Sequence, residues 1–189
     1  MTKRLLRDES QLECVVNDPN LVEQVLPGDG TFPNSPLPLL VYREVISLPD
    51  GNAAALFEEL FAANVWSGCW RNGIYPYHHY HSTAHEVLGV YHGSAKVQFG
   101  GERGVVYKVH AGDVIVVPAG VSHKNLHTGD DFGVVGAYPE GQDWDMNYGK
   151  PGERPKADNN IARVPLPRMD PVYGANGPLV QKWCTAWHS

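Results

Sequence analysis

This chain has few cysteines, and none of them lies at the spacing of a metal-binding or redox pair. Its 189 residues include three, Cys14, Cys69 and Cys184, which are far apart and odd in number. A disulfide framework needs an even set, and a thiolate metal site usually contains a C-x-x-C pair. The cysteine usage therefore indicates neither kind of site and favours a reducing compartment.

The chain also lacks basic runs and long apolar runs. Its formal net charge is −6 and its isoelectric point is near 5.8, while the densest basic group is Lys3, Arg4 and Arg7. This balance argues against nucleic acid as a partner. No apolar run approaches the ~20 residues of a membrane-spanning helix, and charged residues interrupt the start, where a secretory signal would be apolar. We therefore expect a cytoplasmic protein without a membrane partner.

Turn-forming residues are abundant by contrast. Gly occurs 20 times and Pro 15 times, while 42% of the residues are hydrophobic and 19% are charged. This composition is typical of a globular protein with many tight turns, and the length fits one domain. We expect a single domain over residues 1–189, with an N-terminal arm over 1–36, a helix plus barrel core over 37–140, and a proline-rich C-terminal arm over 141–189 that wraps the barrel.

Residue periodicity predicts one helix followed by many short strands. Apolar residues recur at helical spacing from Gly51 to Val65, with Asp50 as the expected N-cap, and a short helix is also expected near Asn20 to Val25. Strand-like runs separated by glycine favour an antiparallel sandwich or barrel. The expected strands are Leu37–Ile46, Tyr75–His81, Glu86–Tyr91, Ala95–Phe99, Val105–His110, Asp113–Val117 and Phe132–Tyr138.

Five of the nine histidines lie between Gly73 and Gly93. Because side chains at i and i+2 of a strand share a face, His79 and His81 would present two imidazoles side by side. Glu86 could add a carboxylate, and His123 could add a third imidazole from a distant strand. Three imidazoles and one carboxylate suit Fe, Mn, Ni, Cu or Zn, and leave positions open for water, substrate or dioxygen.

One obstacle to this ligand set is the alternation of side chains between the two faces of a strand. Strict alternation from His79 and His81 would place His85, rather than Glu86, on the same face. Glu86 joins the site only if the register breaks between Ser82 and Ala84.

The spacing of these residues resembles that of the cupins. The first cupin motif, G-x5-H-x-H-x4-E-x6-G, is matched by Gly73, His79, His81, Glu86 and Gly93. The second motif, G-x5-P-x-G-x2-H-x3-N, is matched by Gly112, Pro118, Gly120 and His123, although His127 replaces its asparagine. More narrowly, the chain resembles the YjlB-like, single-domain cupins, which share the runs HYHSTAHEVLGVY, GDVIVVPAGVSHKN and GQDWD.

The resemblance implies a fold and a metal site. The implied fold is all-β, a double-stranded β-helix (a cupin or jelly-roll barrel), with one N-terminal-side helix and an irregular C-terminal arm. The implied metal ligands are His79, His81, Glu86 and His123, which would hold one divalent transition metal inside the barrel. Single-barrel cupins commonly pair, so the resemblance also implies a homodimer.

The reaction remains open at this level, and no catalytic residue is assigned. We expect a metal-dependent enzyme acting on a small oxygen-rich molecule, with a dioxygenase-type oxidoreductase ahead of an isomerase or cyclase. A non-catalytic cupin that binds or senses a small molecule is the alternative from another class. A structural cupin without a functional metal is the third.

Several further residues have both a supporting and a structural interpretation. His78 and His85 would be proton-transfer neighbours of the ligands or simply rim residues, and His127 would secure a turn or face the cavity. His92 and His110 are expected at strand ends on the surface. Asp143, Trp144 and Asp145 would border the opening or form an ordinary polar turn. The aromatic residues of the expected strands should mainly pack the barrel, with one or two lining the pocket.

Overall fold

The computed structural model describes residues 15–128 and 131–187. The strands are β1 (Leu21–Leu26), β2 (Ser35–Tyr42), β3 (Trp66–Asn72), β4 (Glu86–His92), β5 (Ser94–Phe99), β6 (Val105–His110), β7 (Val114–Val117), β8 (His123–Thr128) and β9 (Gly133–Pro139). The helices are α1 (Ala53–Ala63), α2 (Lys156–Ile161) and α3 (Pro178–Trp187). Cys14 and the basic cluster Lys3, Arg4 and Arg7 lie outside the described residues.

The strands form two antiparallel sheets, which confirms the all-β jelly-roll fold. One sheet has six strands in the order β1-β2-β7-β4-β9-β3, and the other has three in the order β6-β5-β8. Apart from β1 and β2, neighbouring strands of the large sheet are far apart in sequence, as β2 and β7 illustrate by pairing Val41 with Ile115. Among the described residues, no helix is long and apolar enough to cross a membrane.

Both faces of the central strands of the large sheet are buried, so alternate residues of these strands enter different cores. On β4, Val87 packs with the helices outside the barrel, whereas Leu88 packs inside the barrel. Because alternate side chains of a strand share a face, Glu86 points into the barrel interior with Leu88. The strand pattern thus carries one carboxylate into an apolar core.

Helix α1 covers the outer face of the large sheet. It begins after Asn52, whose side chain accepts a hydrogen bond from the Ala55 amide at 3.1 Å, so Asp50 is not the N-cap that the sequence predicts. Its inward residues include Phe57, which lies directly over Gly89 of β4. A Cβ atom at Gly89 would be 2.4 Å from the Phe57 ring, so the missing side chain lets the helix approach the sheet.

Two sequence-based expectations of local structure are wrong. The segment expected to be helical near Asn20 to Val25 is strand β1, because it pairs with β2 and this tertiary pairing overrides weak local preference. The expected strand from Tyr75 to His81 is irregular and forms only isolated bridges, since Pro76 cannot donate to a ladder.

The C-terminal segment is more regular than expected because it contains α2 and α3. The fully buried Asp170 accepts hydrogen bonds from the Tyr42 hydroxyl and from the Leu179 amide at the start of α3. Trp183 of α3 is also buried, and its indole donates to the Pro38 carbonyl at 2.9 Å. These contacts hold the end of the chain against β2.

Candidate metal centre

The register break that Glu86 requires is present in the structure. Residues 82–85 form bends and irregular chain between His81 and the start of β4 at Glu86. His79 meets His123, the first residue of β8, through two backbone hydrogen bonds of 3.2 and 2.9 Å. The four predicted ligands are therefore brought to one place inside the barrel.

The three imidazoles are oriented by backbone carbonyls. The Nδ1 atoms of His79 and His123 lie 3.2 and 3.3 Å from the carbonyl oxygens of Tyr77 and Val121, and His81 Nδ1 contacts the Asp145 carbonyl. A proton on each Nδ1 leaves the Nε2 lone pair available for a metal. One ring nitrogen from each histidine lies within 4.8 Å of the others, and all three residues are buried.

Glu86 lies against two of these imidazoles. Its Oε1 atom is 3.5 Å from His81 Nε2 and accepts a hydrogen bond from the Tyr138 hydroxyl at 3.1 Å. Its Oε2 atom is 3.3 Å from His123 Nε2 without an aligned hydrogen bond, and no described residue supplies another partner. A buried carboxylate oxygen is thus left without a donor, which is costly unless a cation satisfies it.

The electrostatics of the cluster favour a cation beside Glu86. Burial alone would raise the pKa of Glu86, but the neighbouring His81 and His123 lower it below its usual value. Burial likewise lowers the pKa of His81, but the Glu86 carboxylate outweighs this and raises it. Burial and the nearby His123 lower the pKa of His79 to about 3, so His79 stays neutral and able to coordinate.

The donor set fits a divalent transition metal. Metal–nitrogen and metal–oxygen bonds of about 2.0–2.2 Å place adjacent donors about 3.0–3.5 Å apart. The two separations between Glu86 and the imidazoles, 3.3 and 3.5 Å, lie within this range. The buried three-histidine group could therefore hold a metal, and its ligation by His79, His81, Glu86 and His123 stays a prediction.

A cavity of about 350 Å³ opens from the four ligands to the surface. Its other walls are mainly aromatic and apolar, and they come from β3, the chain that follows it, β4, β9 and the segment after β9. They include Trp70, Ile74, Tyr75, Leu88, Tyr138, Trp144 and Met146. Tyr75 and Tyr138 are thus the two aromatic residues of the expected strands that line the pocket.

The segment from Asp143 to Asp145 borders the opening, as one of the two interpretations predicts. Trp144 stacks on Tyr138 with ring centres 5.8 Å apart, and it remains 47% exposed. The Asp145 carboxylate accepts hydrogen bonds from the Ser82 amide and hydroxyl at 2.6 and 2.5 Å. Asp145 therefore fixes the segment that carries His81, besides contacting His81 through its carbonyl.

The other histidines among the described residues do not line this cavity. His85 accepts a hydrogen bond from the Ala119 amide at 2.9 Å, and its ring packs on Trp183. His78 is buried beside Ser122, and His127 is exposed on β8. The expected surface positions of His92 and His110 at strand ends are confirmed.

The contribution of β3 to the cavity has little signal in the sequence. Trp70 lines the wall and donates from Nε1 to the Tyr138 hydroxyl at 3.0 Å. It pairs with Gly136 of β9, where a Cβ atom would be 2.2 Å from the indole ring. Because β3 is mostly exposed, its sequence shows little alternation of apolar and polar residues. The role of Trp70 becomes visible only when β3 is paired with β9, which carries Gly136.

Comparison with known proteins gives one strong sequence relative. A family model described as Cupin domain matches residues 71–135. The protein YjlB of Bacillus subtilis, described as uncharacterized, is 43% identical over 158 residues, which are 83% of this chain and 93% of that protein.

Solved structures give weaker similarities. A pumpkin seed globulin is 23% identical with a TM-score of 0.35, over 42% of this chain and 22% of the globulin. A DUF861 family protein of Thermotoga maritima is 22% identical with a TM-score of 0.30, over 42% of this chain and 86% of that protein. A Bacillus subtilis oxalate decarboxylase mutant is 17% identical with a TM-score of 0.32, over 59% of this chain and 22% of the decarboxylase.

Proposed function

Because this chain belongs to the YjlB-like cupins, we propose that it is a metal-dependent enzyme that acts on a small oxygen-bearing molecule, with dioxygenation as its reaction class. The observation that supports the proposal is the convergence of three buried imidazoles and one carboxylate at the inner end of a cavity of about 350 Å³. A cavity of this size and depth fits a small ligand.

The proposed ligands are His79, His81, Glu86 and His123, holding one Fe, Mn, Ni, Cu or Zn ion. A bound ion of this kind would polarise a chelating substrate and, if redox-active, would allow electron exchange with dioxygen. The carbonyls beside each Nδ1 atom keep the imidazoles in the coordinating tautomer. Tyr138 orients Glu86, and Trp144 supplies an aromatic part of the cavity wall.

Dioxygenation ranks above isomerisation or cyclisation because of what lines the cavity. The latter reactions require a protein group that removes a proton from the substrate. Within the described part of the chain, Glu86 is the only carboxylate that lines the cavity, and the proposed metal would bind it. The reaction of a chelating substrate with dioxygen requires the fewest side chains besides the metal ligands.

The second candidate is a non-catalytic cupin that binds or senses a small molecule. The largely aromatic and apolar wall favours it, because such a wall binds a ligand without supplying acid or base groups. Tight binding without turnover would support this candidate over an enzyme.

The decisive experiment begins with metal analysis of protein purified without chelator or nickel affinity. The metal-loaded protein is then mixed with catecholic and enolic compounds while dissolved oxygen and each compound are monitored. Oxygen consumption that disappears in His81→Ala would support dioxygenation. If neither oxygen nor any compound changes, the dioxygenase proposal is abandoned.

We also propose that the chain is a cytoplasmic homodimer. Cys69 and Cys184 are exposed thiols, which is compatible with a reducing compartment, and exposed Val25 and Leu126 lie on the sheet-edge strands β1 and β8. Light scattering at micromolar concentration should give twice the 20.8 kDa chain mass. A scattering mass of one chain would contradict the dimer.

A further inference from the structure

We infer that the cavity selects a planar, single-ring aromatic ligand that chelates through two adjacent oxygen atoms and binds as a monoanion. This inference rests on the metal site of the proposed function and adds the chemical class of its ligand. It is carried by the aromatic surfaces around the cavity, by its charge and by its volume.

Aromatic surfaces flank the metal-binding imidazoles at two points. Beside His81, Trp144 lies with ring centres 5.3 Å apart and stacks on Tyr138 at an interplanar angle of 20°. Beside His79, Tyr75 lies with ring centres 5.2 Å apart and stacks on Tyr77 at 11°. Trp144 and Tyr75 remain 47% and 41% exposed while lining the cavity, so part of each ring surface stays open to a ligand ring.

The charge of the cavity favours a monoanion. Besides the histidines, its charged lining residues are Glu86 and Arg71, and Arg71 is bound to Glu58 by two hydrogen bonds of 2.8 and 2.9 Å. A divalent ion with three neutral imidazoles and one carboxylate carries one net positive charge. A monoanionic chelator neutralises this charge, whereas a more highly charged ligand would bury a negative charge without a partner.

The cavity volume favours a small ligand. About 350 Å³ is near the lower end of the range for small-molecule pockets, roughly 300–1,000 Å³. A chelating group at the metal and one aromatic ring in contact with Trp144 or Tyr75 make a ligand of this size.

Two hydroxamates test this inference because they share the same chelating group. Benzohydroxamate carries an aromatic ring, whereas acetohydroxamate carries a methyl group, and both bind a metal as oxygen-donor monoanions. Each is titrated by calorimetry into zinc-loaded protein whose zinc content has been measured. We expect benzohydroxamate to bind at least about tenfold more tightly, as stacking adds to the burial of its ring.

Variants separate ring stacking from general hydrophobic burial. Trp144→Leu and Tyr75→Leu keep an apolar side chain but remove the ring, and each should reduce the preference for benzohydroxamate by roughly 2- to 12-fold. The affinity for acetohydroxamate should be unchanged in both. Tyr148→Leu is the matched control, because Tyr148 is 41% exposed but lies outside this cavity.

The outcomes distinguish this inference from the proposed function. Equal affinity for the two hydroxamates, or a preference that is undiminished in both leucine variants, would overturn the aromatic ligand class while leaving an accessible metal site. If zinc does not bind, or if neither hydroxamate binds the zinc-loaded protein, the metal site of the proposed function fails and the ligand class fails with it.

Discussion

At the scale of single residues, His81 contacts three different parts of the candidate centre. Its Nδ1 atom contacts the Asp145 carbonyl, its Nε2 atom faces Glu86, and its ring lies beside Trp144. It therefore connects the proposed metal to the C-terminal segment that forms the cavity wall. Removal of its side chain should affect the metal more than the fold, because the neighbouring backbone bridges do not involve the imidazole.

We predict that His81→Ala reduces bound metal from about one equivalent per chain to less than about a tenth. The variant loses one of the four proposed ligands, and Glu86 loses one neighbouring imidazole. Inductively coupled plasma mass spectrometry measures the metal, and circular dichroism verifies the fold. His127→Ala is the control, because His127 is exposed and does not line the cavity. Equal metal content in the two variants would contradict the assigned ligand set.

A second residue-scale prediction concerns Tyr138. Its hydroxyl donates to Glu86 and accepts from the Trp70 indole, so Tyr138→Phe removes both hydrogen bonds but keeps the ring that stacks on Trp144. We expect metal affinity to fall about 10- to 100-fold, as is typical when a hydrogen bond to a metal ligand is lost. Competition with a metal indicator measures the affinity. An unchanged value would show that Tyr138 does not orient the carboxylate.

The ligands and their supporting residues differ in how far the sequence predicts them. The spacing of the cupin motifs identifies four ligands from one sequence alone: His79, His81, Glu86 and His123. Tyr138 has only its position on an apolar strand, and its role depends on the β4–β9 register, which places it near Glu86. Cross-strand neighbours are set by pairing over long sequence distances, which local patterns do not encode.

At the scale of secondary structure, the same cause explains which elements are predictable. Strands β4, β5, β6, β7 and β9 have apolar runs bounded by turns, and their positions follow the sequence closely. Strand β8, with the sequence HKNLHT, is polar, and β1 and β3 lie at the edges of the large sheet. These three become strands because a neighbour is available to pair with them, which a local pattern does not contain.

The docking of helix α3 gives an element-scale prediction. Trp183 is 1% exposed, packs on His85 and donates a hydrogen bond to Pro38. Trp183→Ala should lower the free energy of unfolding by about 3–5 kcal/mol, the usual cost of truncating a buried aromatic side chain. Urea denaturation measures the change.

Lys182→Ala is the matched control for Trp183→Ala on the same helix. Lys182 is exposed, and its 2.8 Å ion pair with Glu23 lies between two half-exposed side chains. Such pairs contribute at most about 1 kcal/mol. If the two alanine variants have equal stability, α3 does not anchor the C-terminal segment.

At the scale of the whole molecule, buried histidines determine how stability changes with pH. Burial lowers the pKa of His85 to about 3, and burial together with His123 lowers the pKa of His79 to about 3. In the unfolded chain both return to about 6.5. The unfolded state therefore binds up to two more protons between these pH values, so their contribution to stability is present above pH ~6.5 and is lost as the pH falls.

His81 does not cancel this loss. The pKa of His81 is raised in the folded state, so its contribution is fully present below about pH 6.5 and is lost only at higher pH. The lowered pKa of Glu86 adds to the acid sensitivity below about pH 4.5, where the unfolded carboxylate takes up a proton. The metal-free protein should therefore lose stability as the pH falls from about 6.5 toward 3. In this range His79 and His85 are neutral in the folded protein but protonated in the unfolded chain.

We predict that the unfolding free energy of chelator-treated protein falls by up to about 3 kcal/mol for each pH unit between about pH 6 and pH 4.5, since each of the two histidines contributes about 1.4. Replacement of one of them, in His85→Gln, should lower this slope by about 1.4 kcal/mol per pH unit, whatever it does to stability at neutral pH. Urea denaturation at several pH values measures both. His127→Gln, at an exposed position, should retain the full slope. A slope that is the same in both glutamine variants would show that burial of His85 does not cause the acid sensitivity.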